Sequence, residues 1–133
     1  MVGRTPRFLL ALSSVISALG GAMHALAFRK AAAAIDSSSL AHFYGGSSKG
    51  LWLADSATLF ILAIIFGLIA ARPSMATRPL IILVALIPAA TAILIYTFLG
   101  GFIAGHILLA IAILALLAGT QFPGSVAASE RSM

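Results

Sequence analysis

The sequence contains no cysteine, which removes disulfide frameworks, thiolate zinc sites, iron–sulfur clusters and cysteine nucleophiles together. It is nearly as poor in charge, for only 8% of its 133 residues are Asp, Glu, Lys or Arg, where a soluble domain carries about a quarter. A water-facing globular surface is not built from so few charges. Disorder is excluded from the other direction, because 62% of the residues are hydrophobic and a disordered chain is low in hydrophobicity and high in charge. There is also no Walker loop, Gly-rich dinucleotide fingerprint or nucleophile elbow, so nucleotide-dependent and serine-hydrolase chemistry have no support.

What the chain does have is long apolar runs. A helix needs about 20 apolar residues to cross roughly 30 Å of hydrocarbon, and four such runs are present: Phe8 to Phe28, Leu51 to Ala71, Pro79 to Leu99 and Phe102 to Gly119. Barrel strands would alternate apolar and polar residues, whereas these runs are apolar on all sides. The expected fold is therefore all-α, a single integral membrane domain over residues 1–133, built as a four-helix transmembrane bundle of antiparallel hairpins. Only Gly100-Gly101 separates the last two spans, which makes them one hairpin. A long loop, Arg29 to Gly50, is expected between the first two, with Ala31 to Ile35 suited to a short helical extension of the first span. The tail from Thr120 to Met133 is polar and is expected to fray. One alternative concerns the first span: Arg4 and Arg7, the apolar run after them and Ala25-Leu26-Ala27 also fit a cleaved signal peptide.

The net charge of +5 does not indicate nucleic acid, because the cations fall between or outside the spans. Arg4, Arg7, Arg72, Arg78 and Arg131 lie on one side, and Arg29, Lys30 and Lys49 on the other. Five against three favours cytoplasmic termini, in a bacterial inner (plasma) membrane. Phe43, Tyr44 and Trp52 stand where interfacial aromatics are expected.

Ionisable groups inside hydrocarbon are expensive, by about 2.5–3.5 kcal/mol on insertion scales, and are candidates for function for that reason. Their depths coincide. His24 lies four residues before the end of its span, while Asp55 and His106 each lie four after the start of theirs. At 1.5 Å per residue each is about 6 Å inside. Tyr96 and Thr97 are slightly shallower. Because alternate helices run in opposite directions, all these ends lie on the side of the first loop, so four helices contribute to one polar layer. His42 and Tyr44 are placed to fold over it from the loop, and Trp52 stands beside it. Small and polar stripes point the groups inward: Ser13, Ser17, Gly20, His24 and Ala27 on the first span, and Ala85, Ala89, Ala92 and Tyr96 on the third. Gly101 and Gly105 form a GxxxG pair beside His106, and Pro88 is expected to kink the third span.

Four readings use this layer. In the first, Asp55 pairs with a histidine and holds helices in register, giving a structural or accessory membrane protein. In the second, Asp55, His24 and His106 perform acid/base chemistry on a lipophilic small molecule, with Tyr96 as a hydrogen-bond donor and His42, Tyr44, Trp52 and Thr97 lining the substrate site. A third makes the two histidines axial haem ligands or, with Asp55, a two-His, one-carboxylate metal site, although no HxxxH or ExxH spacing supports it. The fourth relays protons in transport. No cofactor is specified by the sequence. The partner implied directly is the lipid bilayer, and the apolar surface of four spans leaves room for a homo-oligomer or a membrane complex.

Overall fold

The computed structural model describes residues 2–123. The chain forms α1 (Arg4–Asp36), α2 (His42–Ala71), a short 3-10 turn at Pro73–Met75, α3 (Arg78–Leu99) and α4 (Ile103–Thr120), with no strand among the described residues. All four helices are long and apolar enough to cross a membrane. The chain is thus an integral membrane protein by its architecture.

Helix α1 packs against α2 and against α4, and α4 packs against α3. The principal order across the bundle is therefore α2, α1, α4, α3, with the two sequence hairpins joined along the α1–α4 seam. The core contains Leu10 of α1, Leu62 and Phe66 of α2, Ile81 and Ala85 of α3, and Ile111 and Ala115 of α4. Large apolar side chains such as Leu26, Phe98 and Ile64 point outward, as expected where lipid is the solvent. Burial of apolar surface does not drive association in lipid. Close packing at small residues and polar contacts between helices must do it.

The connection between the first two helices differs from the expected long loop. Helix α1 runs for 33 residues and α2 for 30, leaving only residues 37–41 as the link. At 1.5 Å per residue these helices are about 50 and 45 Å long, well beyond the hydrocarbon thickness. Alanine is the best helix former, so Ala31–Ala34 carries α1 on to Asp36. The start of α2 is less obvious, since Gly45, Gly46 and Gly50 all disfavour helix. Tertiary packing offsets that propensity: Gly45 faces Ile35 of α1, at a distance where a Cβ would stand 3.4 Å from its Cγ2, an ordinary contact. Lys49 also pairs with Asp36 across this extension. Ser37 and Ser38 close α1 by donating their hydroxyls to the carbonyls of Ala34 and Ile35.

At the α3–α4 turn, Gly100 takes φ +68° and ψ −148°, a conformation that glycine alone adopts readily. Pro88 lies buried inside α3, which continues through it. Residues 120–122 do not show the expected fraying. Thr120 is the last residue of α4, and Phe122 is 3% exposed in the core. The rest of the tail lies outside the described residues.

Candidate functional site

The polar groups singled out in the sequence separate into two clusters, one in each hairpin. In the first, His24 of α1 faces Asp55 of α2, with Nε2 3.7 Å from Oδ2. That is an ionic contact distance, longer than a hydrogen bond. His24 Nε2 is itself buried and has no hydrogen-bond partner among the described residues. Trp52, one turn before Asp55, engages the same histidine twice. Its ring stacks on the imidazole with centroids 4.2 Å apart, and its Nε1–H donates to the His24 carbonyl at 2.8 Å. The carbonyl has two lone pairs and accepts this bond beside its own helical one.

Local packing brings these groups together. One turn before His24, a Cβ on Gly21 would lie 3.2 Å from Leu59 Cβ and 3.3 Å from the Ser56 carbonyl. Only a residue without a side chain leaves α1 this close to α2. Ser17, fully buried, returns its hydroxyl to the Ser13 carbonyl, so the small stripe on α1 carries no unpaired hydroxyl into the interface. The stripe that is actually buried is Ser13, Ser17 and Gly21, offset by one position from the expected Gly20.

In the second cluster, the Tyr96 hydroxyl of α3 and His106 Nδ1 of α4 share a 2.7 Å hydrogen bond, with their rings 5.3 Å apart. Tyr96 donates in the tautomer that carries its proton on Nε2. Gly105 makes the approach possible, because a Cβ there would meet Tyr96 Cε1 at 3.0 Å and Ile95 Cγ2 at 3.1 Å. Its GxxxG partner Gly101 has nothing within 4 Å and plays no such part.

The clusters occupy the same half of the bundle. Gly20, one turn from His24, faces Leu59 and Ile107, with a Cβ placed 3.8 and 3.9 Å from their side chains. Leu59 lies one turn beyond Asp55, and Ile107 follows His106. The two histidines do not converge on Asp55, however, and no group of three His, Cys, Asp or Glu among the described residues is placed to hold a metal ion. The two-His, one-carboxylate arrangement is not formed.

The remaining candidates lie apart from both clusters. His42 and Tyr44 do not fold over the layer, because they belong to the first turn of α2 and not to a loop. His42 precedes Asp55 by thirteen residues of continuous helix, about 20 Å. Tyr44 is exposed and packs edge-on against Phe43. Thr97 is exposed and spends its hydroxyl on the Ile93 carbonyl of its own helix at 2.8 Å. Trp52 is engaged with His24 as described. Two open cavities lie at the opposite end of the bundle, around Arg7, and include none of the sequence-predicted site residues. No protein-family model, curated protein or solved structure matches the chain.

Proposed function

We propose that this chain is a structural or accessory protein of the membrane, in which the His/Asp and Tyr/His clusters fasten each hairpin at one depth. The observation that carries this reading is that the layer's polar side chains are engaged across the hairpin partner: His24 with Asp55 and Trp52, and Tyr96 with His106. Polar contacts of this kind between membrane helices contribute about 0.6 kcal/mol on average and up to about 1.7. With cytoplasmic termini, as the cation distribution favours, both clusters belong to the outer leaflet.

Double-mutant cycles test the proposal directly. His24→Ala with Asp55→Asn forms one cycle and Tyr96→Phe with His106→Ala the other, each read by reversible unfolding of the full chain in mild detergent. A favourable coupling of about 0.6 kcal/mol or more is expected in each. Coupling indistinguishable from zero in both would remove the basis of the reading.

A second reading is favoured by one specific feature, the buried Nε2 of His24, which has no hydrogen-bond partner among the described residues and sits beside a carboxylate. That juxtaposition suits proton exchange with a lipophilic substrate presented from the bilayer. Its signature is a variant, Asp55→Asn, that unfolds at the wild-type temperature yet loses turnover of such a substrate.

A further inference from the structure

The end of the molecule opposite the polar layer gathers charge of one sign. Arg4 and Arg7 open α1, Arg72 follows α2 and Arg78 opens α3. Both acids in the described residues, Asp36 and Asp55, stand in the other half of their helices. Two helix N-termini end here as well. Neither Gly3 before α1 nor Thr77 before α3 caps its helix with a side chain, and neither first turn holds an acid. Uncapped N-termini carry partial positive charge and free N–H groups, so they add to the arginines.

A groove of about 480 Å³ begins at this end, between α1 and α2. Its head is Arg7, whose Nε–H donates to the Ala70 carbonyl at 2.9 Å. That carbonyl is one of the last of α2 and lacks a helical partner, so the bond satisfies it and also fixes the guanidinium over the groove. The two Nη groups make no hydrogen bond or ion pair within the described residues. Below the arginine the walls are made by Ala11, Ser14, Gly67 and Ala71, which are small. Ser14 does not make the wall polar, for its hydroxyl donates to the Ala63 carbonyl at 2.6 Å. From Arg7 to Val15, the deepest lining residue of α1, the groove descends eight residues, about 12 Å, into the apolar part of the span.

A fixed cation at the headgroup level above an open apolar groove has the amphipathic layout of a single phospholipid. We propose that this groove holds one anionic phospholipid, its phosphate on the Nη groups of Arg7 and the upper part of one acyl chain along Ala11, Ser14 and Gly67. An anionic headgroup is selected over a zwitterionic one because the latter brings its own cation to a surface that already has four arginines and no described acid. This site does not depend on the role of the histidine clusters.

The test is native mass spectrometry of the full chain released from detergent containing equal mole fractions of dioleoylphosphatidylglycerol and dioleoylphosphatidylcholine. The wild-type protein is expected to retain one phosphatidylglycerol in preference to phosphatidylcholine. Arg7→Gln should cut that preference about fivefold, the effect of one juxtamembrane cation on an anionic lipid, while Arg7→Lys preserves most of it. Ala11→Leu fills the groove one turn below Arg7 and keeps both the guanidinium and the Ala70 carbonyl that accepts from it. It should lower retention of both lipids, and because Ala11 is exposed the fold survives the change. Equal retention of the two lipids by the wild type, as for an unselective annulus, overturns the proposal, and so does wild-type retention by Ala11→Leu. Should Arg7→Gln fail to fold, Ala11→Leu alone decides.

Discussion

The two hairpins solve one problem by different means. Helices α1 and α2 are held by side chains that donate to the neighbouring backbone: Arg7 to Ala70, Ser14 to Ala63 and Trp52 to His24. Helices α3 and α4 have a single side-chain hydrogen bond between them, Tyr96 with His106, and otherwise rely on glycines in close contact. Gly105 admits Tyr96 and Ile95, and Gly119 admits Ile81, whose Cγ2 would stand 3.2 Å from an added Cβ. The difference follows from composition. The first hairpin places an arginine, a serine and a tryptophan where each reaches a facing carbonyl, while α3 and α4 offer almost nothing but aliphatic residues and depend on dispersion at short range.

The contrast breaks most severely at Gly105. Gly105→Val places branched carbon where Tyr96 and Ile95 already stand about 3 Å from the missing Cβ. Overpacking of this kind costs about 1–3 kcal/mol, and it should separate α3 from α4 while leaving α1 and α2 together. Crosslinking between cysteines introduced in each hairpin would register this. Loss of the α1–α2 crosslink instead would show that the hairpins are not independent.

Next in size is Trp52→Phe, which keeps an aromatic face for His24 but deletes the bond to its carbonyl. A loss of about 1 kcal/mol is expected by detergent unfolding. Ser14→Ala should cost somewhat less, nearer the average of about 0.6 kcal/mol, because it deletes one hydroxyl-to-carbonyl bond, that to Ala63, and leaves the aromatic contacts of the hairpin in place. If Ser14→Ala proves the costlier of the two, hydroxyl-to-carbonyl bonds rather than the tryptophan dominate the first hairpin.

Much of this arrangement was legible in the chain before its structure. The four spans, the Gly100 turn and the inward stripes Ser13–Ser17 and Ala85–Ala92 all follow from local pattern, and local pattern is what a span preserves. Which helix stands beside which is a different kind of information. Depth alone grouped His24, Asp55, Tyr96 and His106, but α1 lies between α2 and α4, so His106 meets Tyr96 within its own hairpin and not Asp55. Trp52 was legible as an interfacial aromatic; its grip on His24 was not, because a backbone carbonyl carries no mark in sequence. Gly21 and Gly67 were hidden for a related reason, since a glycine announces room and never says what fills it. The loop expected from Arg29 to Gly50 is helical over most of its length, although Gly45 and Gly46 disfavour helix, and Gly45 faces Ile35 of α1 there.

The smallest expected effect bears on the part of the first hairpin that extends past its apolar span. Lys49→Ala removes the ion pair with Asp36, the one described ion pair in the α1–α2 extension. Asp36 is largely exposed, and pairs of that kind contribute at most about 0.5–1 kcal/mol and are weakened by salt. Global unfolding should therefore barely change, whereas amide exchange in residues 42–48 should accelerate, because two glycines leave this segment little helical propensity of its own. Raising the ionic strength should produce the same acceleration in the wild type and none further in the variant. Exchange that ignores both changes would mean that the contact of Gly45 with Ile35 suffices to hold the extension, and that the first hairpin is at its tip built like the second.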